Sequence, residues 1–137
     1  MRRRMALLAL TLCLCHVALG SELTLSIEGV SPDDGVVRVG IYERGEAFTG
    51  SPVHSERLEP EATLLKETVA DLEPGQYAVA AYQDRNGSGS MDRNFFGAPS
   101  EPYGFSHGAR GTLGPPDFDD AMFNLGSEPV EIHVPLE

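Results

Sequence analysis

The 137-residue sequence has no Trp, a single Lys (Lys66) and two Cys, Cys13 and Cys15, both near the amino terminus. It carries 10 Lys+Arg against 21 Asp+Glu, a formal net charge of -11. That shortage of cations excludes a phosphate-backbone binder, because affinity for nucleic acid comes mainly from Lys and Arg. It also speaks against docking on anionic lipid. With Lys66 alone, no Gly-rich lysine loop cradles a nucleotide phosphate. His54, His107 and His133 are dispersed, without His-x-x-x-His spacing for a metal. There is no Gly-x-Ser-x-Gly nucleophile elbow either. What is present is 41% hydrophobic residues, enough for a packed core in a chain of single-domain length.

Long apolar runs are equally scarce. The one that stands out covers residues 5–19, 15 residues interrupted only by Thr11 and His16. Arg2, Arg3 and Arg4 precede it, and Ala18-Leu19-Gly20 places small residues before Ser21. A basic flank, a short apolar run and a small-residue exit form the pattern of a secretory signal peptide. Fifteen residues fall short of the ~20 needed to cross a bilayer. Cys13 and Cys15 follow Leu12 and Leu14, not the small residues of a lipoprotein cleavage box. The expectation is a signal peptide over 1–20, cleavage after Gly20, and a periplasmic or secreted single domain over 21–137. The exported chain then has seven basic and 21 acidic side chains, a net charge of -14, and no cysteine. Disulfides, thiolate metal sites and Cys nucleophiles drop out.

Leu23, Leu25 and Ile27 alternate with Thr24, Ser26 and Glu28, the period of a half-buried strand. Ser31-Pro32-Asp33-Asp34-Gly35 is a turn cluster, which predicts a hairpin into the alternating Val37, Val39 and Ile41. Residues 43–60 read as irregular, with Ala47 and Phe48 as buried candidates, and 62–69 as a strand. Residues 76–83 are apolar on both faces, as in a central strand covered on both sides. Residues 84–120 hold seven Gly and four Pro with no alternation. So long a loop inside a compact domain is functional or locally organised. Pattern returns at 121–125 and at Val130, Ile132, Val134 and Leu136. The expected fold is all-β, an antiparallel Ig-like or transthyretin-like β-sandwich of six to seven strands with one long Gly/Pro-rich loop.

The most specific local feature is Asp84-Arg85-Asn86-Gly87-Ser88-Gly89-Ser90-Met91-Asp92. Asp84, Asn86, Ser88, Ser90 and Asp92 put oxygens at relative positions 1, 3, 5, 7 and 9, with Gly89 at position 6. That spacing matches the first nine positions of an EF-hand Ca²⁺ loop, in which Gly permits the sharp turn. Position 12 is Phe95 where such a loop supplies a bidentate Glu. Glu101, Asp117, Asp119 or Asp120 would have to complete a shell of ~6–8 oxygens. The competing reading is a metal-free turn, with Asp84 and Asn86 bonded to their own backbone. Asn86-Gly87-Ser88 also fits a glycosylation sequon, a pattern short enough to arise by chance.

Further strings follow in order: Leu72-Glu73-Pro74-Gly75-Gln76-Tyr77-Ala78-Val79, Met91-Asp92-Arg93-Asn94-Phe95-Phe96-Gly97, Glu101-Pro102-Tyr103-Gly104-Phe105-Ser106 and Pro115-Pro116-Asp117-Phe118-Asp119-Asp120-Ala121. With Asp84-x-Asn86-Gly87 they resemble the bacterial domain-of-unknown-function family 2141 over about residues 36–136. The resemblance implies a small exported β-sandwich with no established activity. The family pattern has Asn where Ser88 stands, a better ligand than Ser, and commonly Asn where His107 stands.

The remaining candidates have plain readings. Phe95, Phe96, Tyr103 and Phe105 offer an aromatic platform, or pack the loop onto the sandwich. Ser106 and His107 are neighbours in sequence, and Glu101 with Asp84 or Asp92 forms the carboxylate pair of a glycosidase on paper. In a chain with 21 acids such pairs arise by chance. The sequence therefore points to a non-enzymatic envelope binding or structural module, without catalytic or cofactor-binding residues, with Ca²⁺ as the one cofactor in view. Its partner is an envelope component or small ligand. The rival is a hydrolase of an envelope carbohydrate or ester.

Overall fold

The computed structural model describes residues 21–45, 48–94 and 97–137. Residues 1–20, read above as a signal peptide, and Ala47, Phe95 and Phe96 lie outside them. Eight strands follow in order: β1 (Ser21–Glu28), β2 (Val36–Glu43), β3 (His54–Leu58), β4 (Leu64–Leu72), β5 (Gly75–Asp84), β6 (Tyr103–Phe105), β7 (Phe123–Leu125) and β8 (Val130–Pro135). A 3-10 turn at Ser106–Gly108 and one short helix, α1 (Phe118–Ala121), interrupt the long loop.

The strands make two sheets. One runs β4-β1-β8 and the other β3-β2-β5-β6, with β7 pairing the opposite end of β5. Period-two alternation supplies the core between them. Leu23, Leu25 and Ile27 from β1 meet Val37, Val39 and Ile41 from β2, Val79 and Ala81 from β5, and Ile132 and Val134 from β8, all buried. The all-β sandwich read from the sequence is the fold, and β5 is the central strand expected. Ala78, on its outer face, is fully buried in a second cluster with Phe105 and Ala121.

Four expectations need correction. β1 pairs β8 in parallel, so the terminal strands lie side by side in an otherwise antiparallel fold. β3 falls in the stretch read as irregular: its outward Ser55 and Arg57 hide the alternation of a short edge strand. Among the described residues the strands number eight, because the three-residue β6 is too short for a periodic signal. Residues 31–35 do not close a hairpin, because β1 and β2 belong to different sheets. Residues 29–35 carry the chain across the sandwich on left-handed residues at Gly29, Asp33 and Gly35. The buried Gln83 side chain holds the crossing, accepting from Ser31 N (2.9 Å) and donating to Ser31 O (2.7 Å) and Asp34 O (2.6 Å). Turn residues mark a reversal but not the sheet the next strand joins.

The two sheets are tied together through β6. Tyr103 N donates to Glu137 O (3.1 Å) and Glu137 N donates to Tyr103 O (3.0 Å). Gly104 makes that approach possible, since a Cβ there would stand 1.8 Å from the Pro135 carbonyl oxygen.

Candidate functional site: a clasped loop beside an arginine-lined groove

Asp84 ends β5 and is fully buried. Its Oδ2 accepts from Arg38 Nε (2.7 Å) and Gly89 N (2.9 Å), and its Oδ1 from Ser88 N (3.0 Å). Burial alone would raise its pKa. The Arg38 guanidinium and the two loop amides outweigh that and hold the carboxyl below its ordinary range. The same hydrogen bond, donated by Arg38 to Asp84, raises the pKa of Arg38. Gly87 and Gly89 have φ of 69° and 82°, and Gly89 is the glycine that the spacing placed at the turn.

Glu101 closes the loop. It is 7% exposed, and its two oxygens accept from Arg85 N (3.0 Å) and Asp92 N (3.1 Å), one amide at each end. Ser100 N donates to Asp92 O (2.9 Å) beside it. Within the turn, Asn86 donates to the Asp92 carboxylate, and the Ser88 hydroxyl reaches Ser90 O (2.9 Å) and Asp92 Oδ1 (3.4 Å). The oxygens of 84, 86, 88, 90 and 92 thus belong to one turn, with Ser90 contributing its carbonyl. Among the described residues no three His, Cys, Asp or Glu side chains are grouped to hold a metal ion. Asp119 pairs with Arg44, which also bonds Gln76 at the far end of β5. Eight residues of strand, about 26 Å, separate Gln76 from Asp84. Asp119 therefore serves the opposite end of the sheet, and of the acids proposed to complete the shell, Glu101 is the one bonded to the loop.

Both oxygens of Asp84 and of Glu101 are occupied by main-chain or guanidinium donors. Ser106 is fully buried, with its Oγ accepting from Val79 N (3.0 Å) and donating to Ala121 O (2.5 Å). It pins the 3-10 turn to β5 and α1. His107 takes φ 62°, the left-handed region that Asn tolerates better than most residues. Phe105 packs with Phe48 (5.7 Å), which also meets Tyr42 and Phe118 edge-on, so this ring is structural. Tyr103 remains 37% exposed.

Beside the loop the outer face of the larger sheet is hollow. Register places Arg57, Arg38, Tyr82 and Tyr103 in one row across β3, β2, β5 and β6, and Ser55, Gly40, Ala80 and Phe105 in the next. Gly40 and Ala80 lower the floor, and the Tyr42 ring lies over Gly40, where a Cβ would meet its hydroxyl at 2.8 Å. Residues 89–91, 93, 97–99 and 111–115 contribute walls to an open groove of about 1040 Å³. Arg38, Arg57 and Arg93 line it with one acid, Glu56. Sequence reading missed this: the three arginines lie far apart in the chain, and only the strand register joins them.

Together these features define a small two-sheet β-sandwich with a clasped, Asx-rich loop walling a groove on one face. More particularly, the family described as an uncharacterized protein conserved in bacteria (DUF2141) matches residues 25–133, and the chain belongs to it. No curated protein and no solved structure matches the chain. Among the described residues no helix is long and apolar enough to cross a membrane.

Proposed function

We propose that the chain is an exported, non-enzymatic binding module of the cell envelope whose ligand seat is the groove over β2 and β5. The observation that carries this is the hollow itself: a face with Gly40 and Ala80 at its floor, bounded by a loop whose carboxylates are spent on holding its shape. Export is supported by the basic, apolar and small-residue order of residues 1–20. Protein recovered from the envelope is expected to begin at Ser21, and a mature chain beginning at Met1 overturns the location. Amide shifts on titration with low-mass envelope extract are expected at Gly40, Ala80 and Tyr82. Turnover of an envelope ester or glycoside that is lost in Glu101→Gln would replace the binding reading with the hydrolase.

A second reading is favoured by the meeting of Asn86, Ser88, the Ser90 carbonyl and Asp92: the turn takes Ca²⁺, with Asp84 at its base and water completing the shell. After chelator treatment, millimolar Ca²⁺ is expected to raise the Tm, and Asp92→Ala to abolish the rise. Ligand at 100 times its Kd contributes about 2.7 kcal/mol by linkage. No rise leaves Arg38 as the counter-cation of the loop.

A further inference from the structure

We infer that the groove takes a small ring-shaped carboxylate, a sugar acid or an aromatic acid, with the carboxylate on Arg57 and Arg93 and the ring against Tyr82 and Tyr103. The inference deepens the binding reading and rests on it. Three observations carry it.

The first is charge placement. In a chain of net charge -11, the groove collects Arg38, Arg57 and Arg93 against Glu56. Arg38 and Arg57 are direct cross-strand neighbours. Like charges in that position repel, and a carboxylate bound at Arg57 relieves it. The second is donor supply. Arg38 gives Nε to Asp84, and Arg57 gives Nη1 to Glu59 (2.5 Å) on an exposed edge. Arg93 donates Nη1 to the Gly97 carbonyl and pairs with no acid among the described residues. Each guanidinium has five donors in a fork that fits a carboxylate, so donors remain on all three. The third is the row itself. Tyr82 and Tyr103 pair across β5 and β6 in the same register as Arg38 and Arg57. One flat molecule lying along that row meets cations at one end and rings at the other, and aromatic faces bind flat apolar surfaces.

Size follows from the field. The surplus of acid outside the groove repels a long polyanion, since charges act over about 8 Å at physiological salt. A ligand with one or two carboxylates stays within the basic patch. A groove of about 1040 Å³ accepts a molecule of disaccharide size.

The test is amide-shift titration of the full exported domain with four probes: digalacturonate, 4-hydroxybenzoate, galactose and inorganic phosphate. Saturable shifts at Tyr82, Tyr103 and Arg57 are expected with at least one carboxylate probe, and its identity tells sugar acid from aromatic acid. Galactose and phosphate are expected to give none. Arg57→Gln and Arg93→Gln should each weaken binding about tenfold, the scale of one charge-assisted contact. Both arginines are exposed, so the variants should fold, as an unchanged Tm verifies. Galactose binding as well as the carboxylates would overturn the charge argument while leaving the groove a binding site. Phosphate binding alone would replace the ring carboxylate with a phosphate ester. Silence from all four probes would overturn the inference, while shifts with envelope extract would still support the broader reading.

Discussion

The outer faces of the two sheets are built from the same period-two strands and finish differently. On the β4-β1-β8 sheet the rows are Thr68, Thr24 and Glu131, then Lys66, Ser26 and His133. Their charges are matched locally, Lys66 with Glu131 (3.0 Å) and His133 near Glu28 (3.6 Å), on side chains about half exposed. That is an ordinary solvated face. On the larger sheet, half the face is sealed by the Phe48, Phe105 and Phe118 cluster, and the other half is a basic hollow walled by loops. Its key polar groups, Asp84, Glu101 and Ser106, are buried. A buried carboxylate is tolerated only when paired and hydrogen-bonded. The difference teaches where this small domain places its buried carboxylates: Asp84 and Glu101 both lie on the side that carries the hollow, while the β4-β1-β8 sheet buries the uncharged Ser26.

The contrast can be broken by substitution. The largest effect belongs to Gly104→Ala at the strand joining the two sheets. Its Cβ would meet the Pro135 oxygen at 1.8 Å, so a loss of about 4 kcal/mol or more and a largely unfolded protein are expected by circular dichroism. Asp84→Ala comes next, at about 2–4 kcal/mol in urea unfolding, because it strips Arg38 and two amides of their acceptor. The sign with pH is fixed by the lowered Asp84 pKa. Its contribution is full above the ordinary carboxylate value of ~4 and is lost as pH falls through the lowered value. Asp84→Asn should therefore flatten the acid side of the stability profile. Ser106→Ala leaves the Ala121 carbonyl without its donor and is expected to cost about 1–3 kcal/mol. His107→Asn, at φ 62°, should gain a few tenths to about 1 kcal/mol. On the plain face Lys66→Ala should stay within about 0.5 kcal/mol. If Lys66→Ala matched Asp84→Ala, the contrast between the faces would fail.

The plain face was also the legible one. Leu23, Leu25 and Ile27 announce β1 because alternation is local, and the core residues of β2 and β8 follow by the same rule. Gly89 was legible too, since a turn's need for a left-handed residue shows in its own spacing. What escaped is non-local. Arg38 meets Asp84 46 positions away, and a charged residue between two valines says nothing about its acid. Glu101 looked like a metal ligand or an acid catalyst because sequence shows a carboxylate and not its donors. In the fold it clasps the loop that Asp84 begins. The hollow depends on Gly40 and Ala80 facing each other across β2 and β5, a matter of register alone.

Residues 84–94 and 97–101 form a scaffold held by Asp84 and Glu101, not a free loop. Amide hydrogen exchange at Arg85, Ser88, Gly89 and Asp92 tests it most directly, because each of these N–H groups donates to one of the two carboxylates. All four are expected to be protected in the wild-type domain. Glu101→Ala should release Arg85 and Asp92, while Ser88 and Gly89 keep the protection given by Asp84. Exchange at all four sites as fast as in an unstructured peptide would contradict the account.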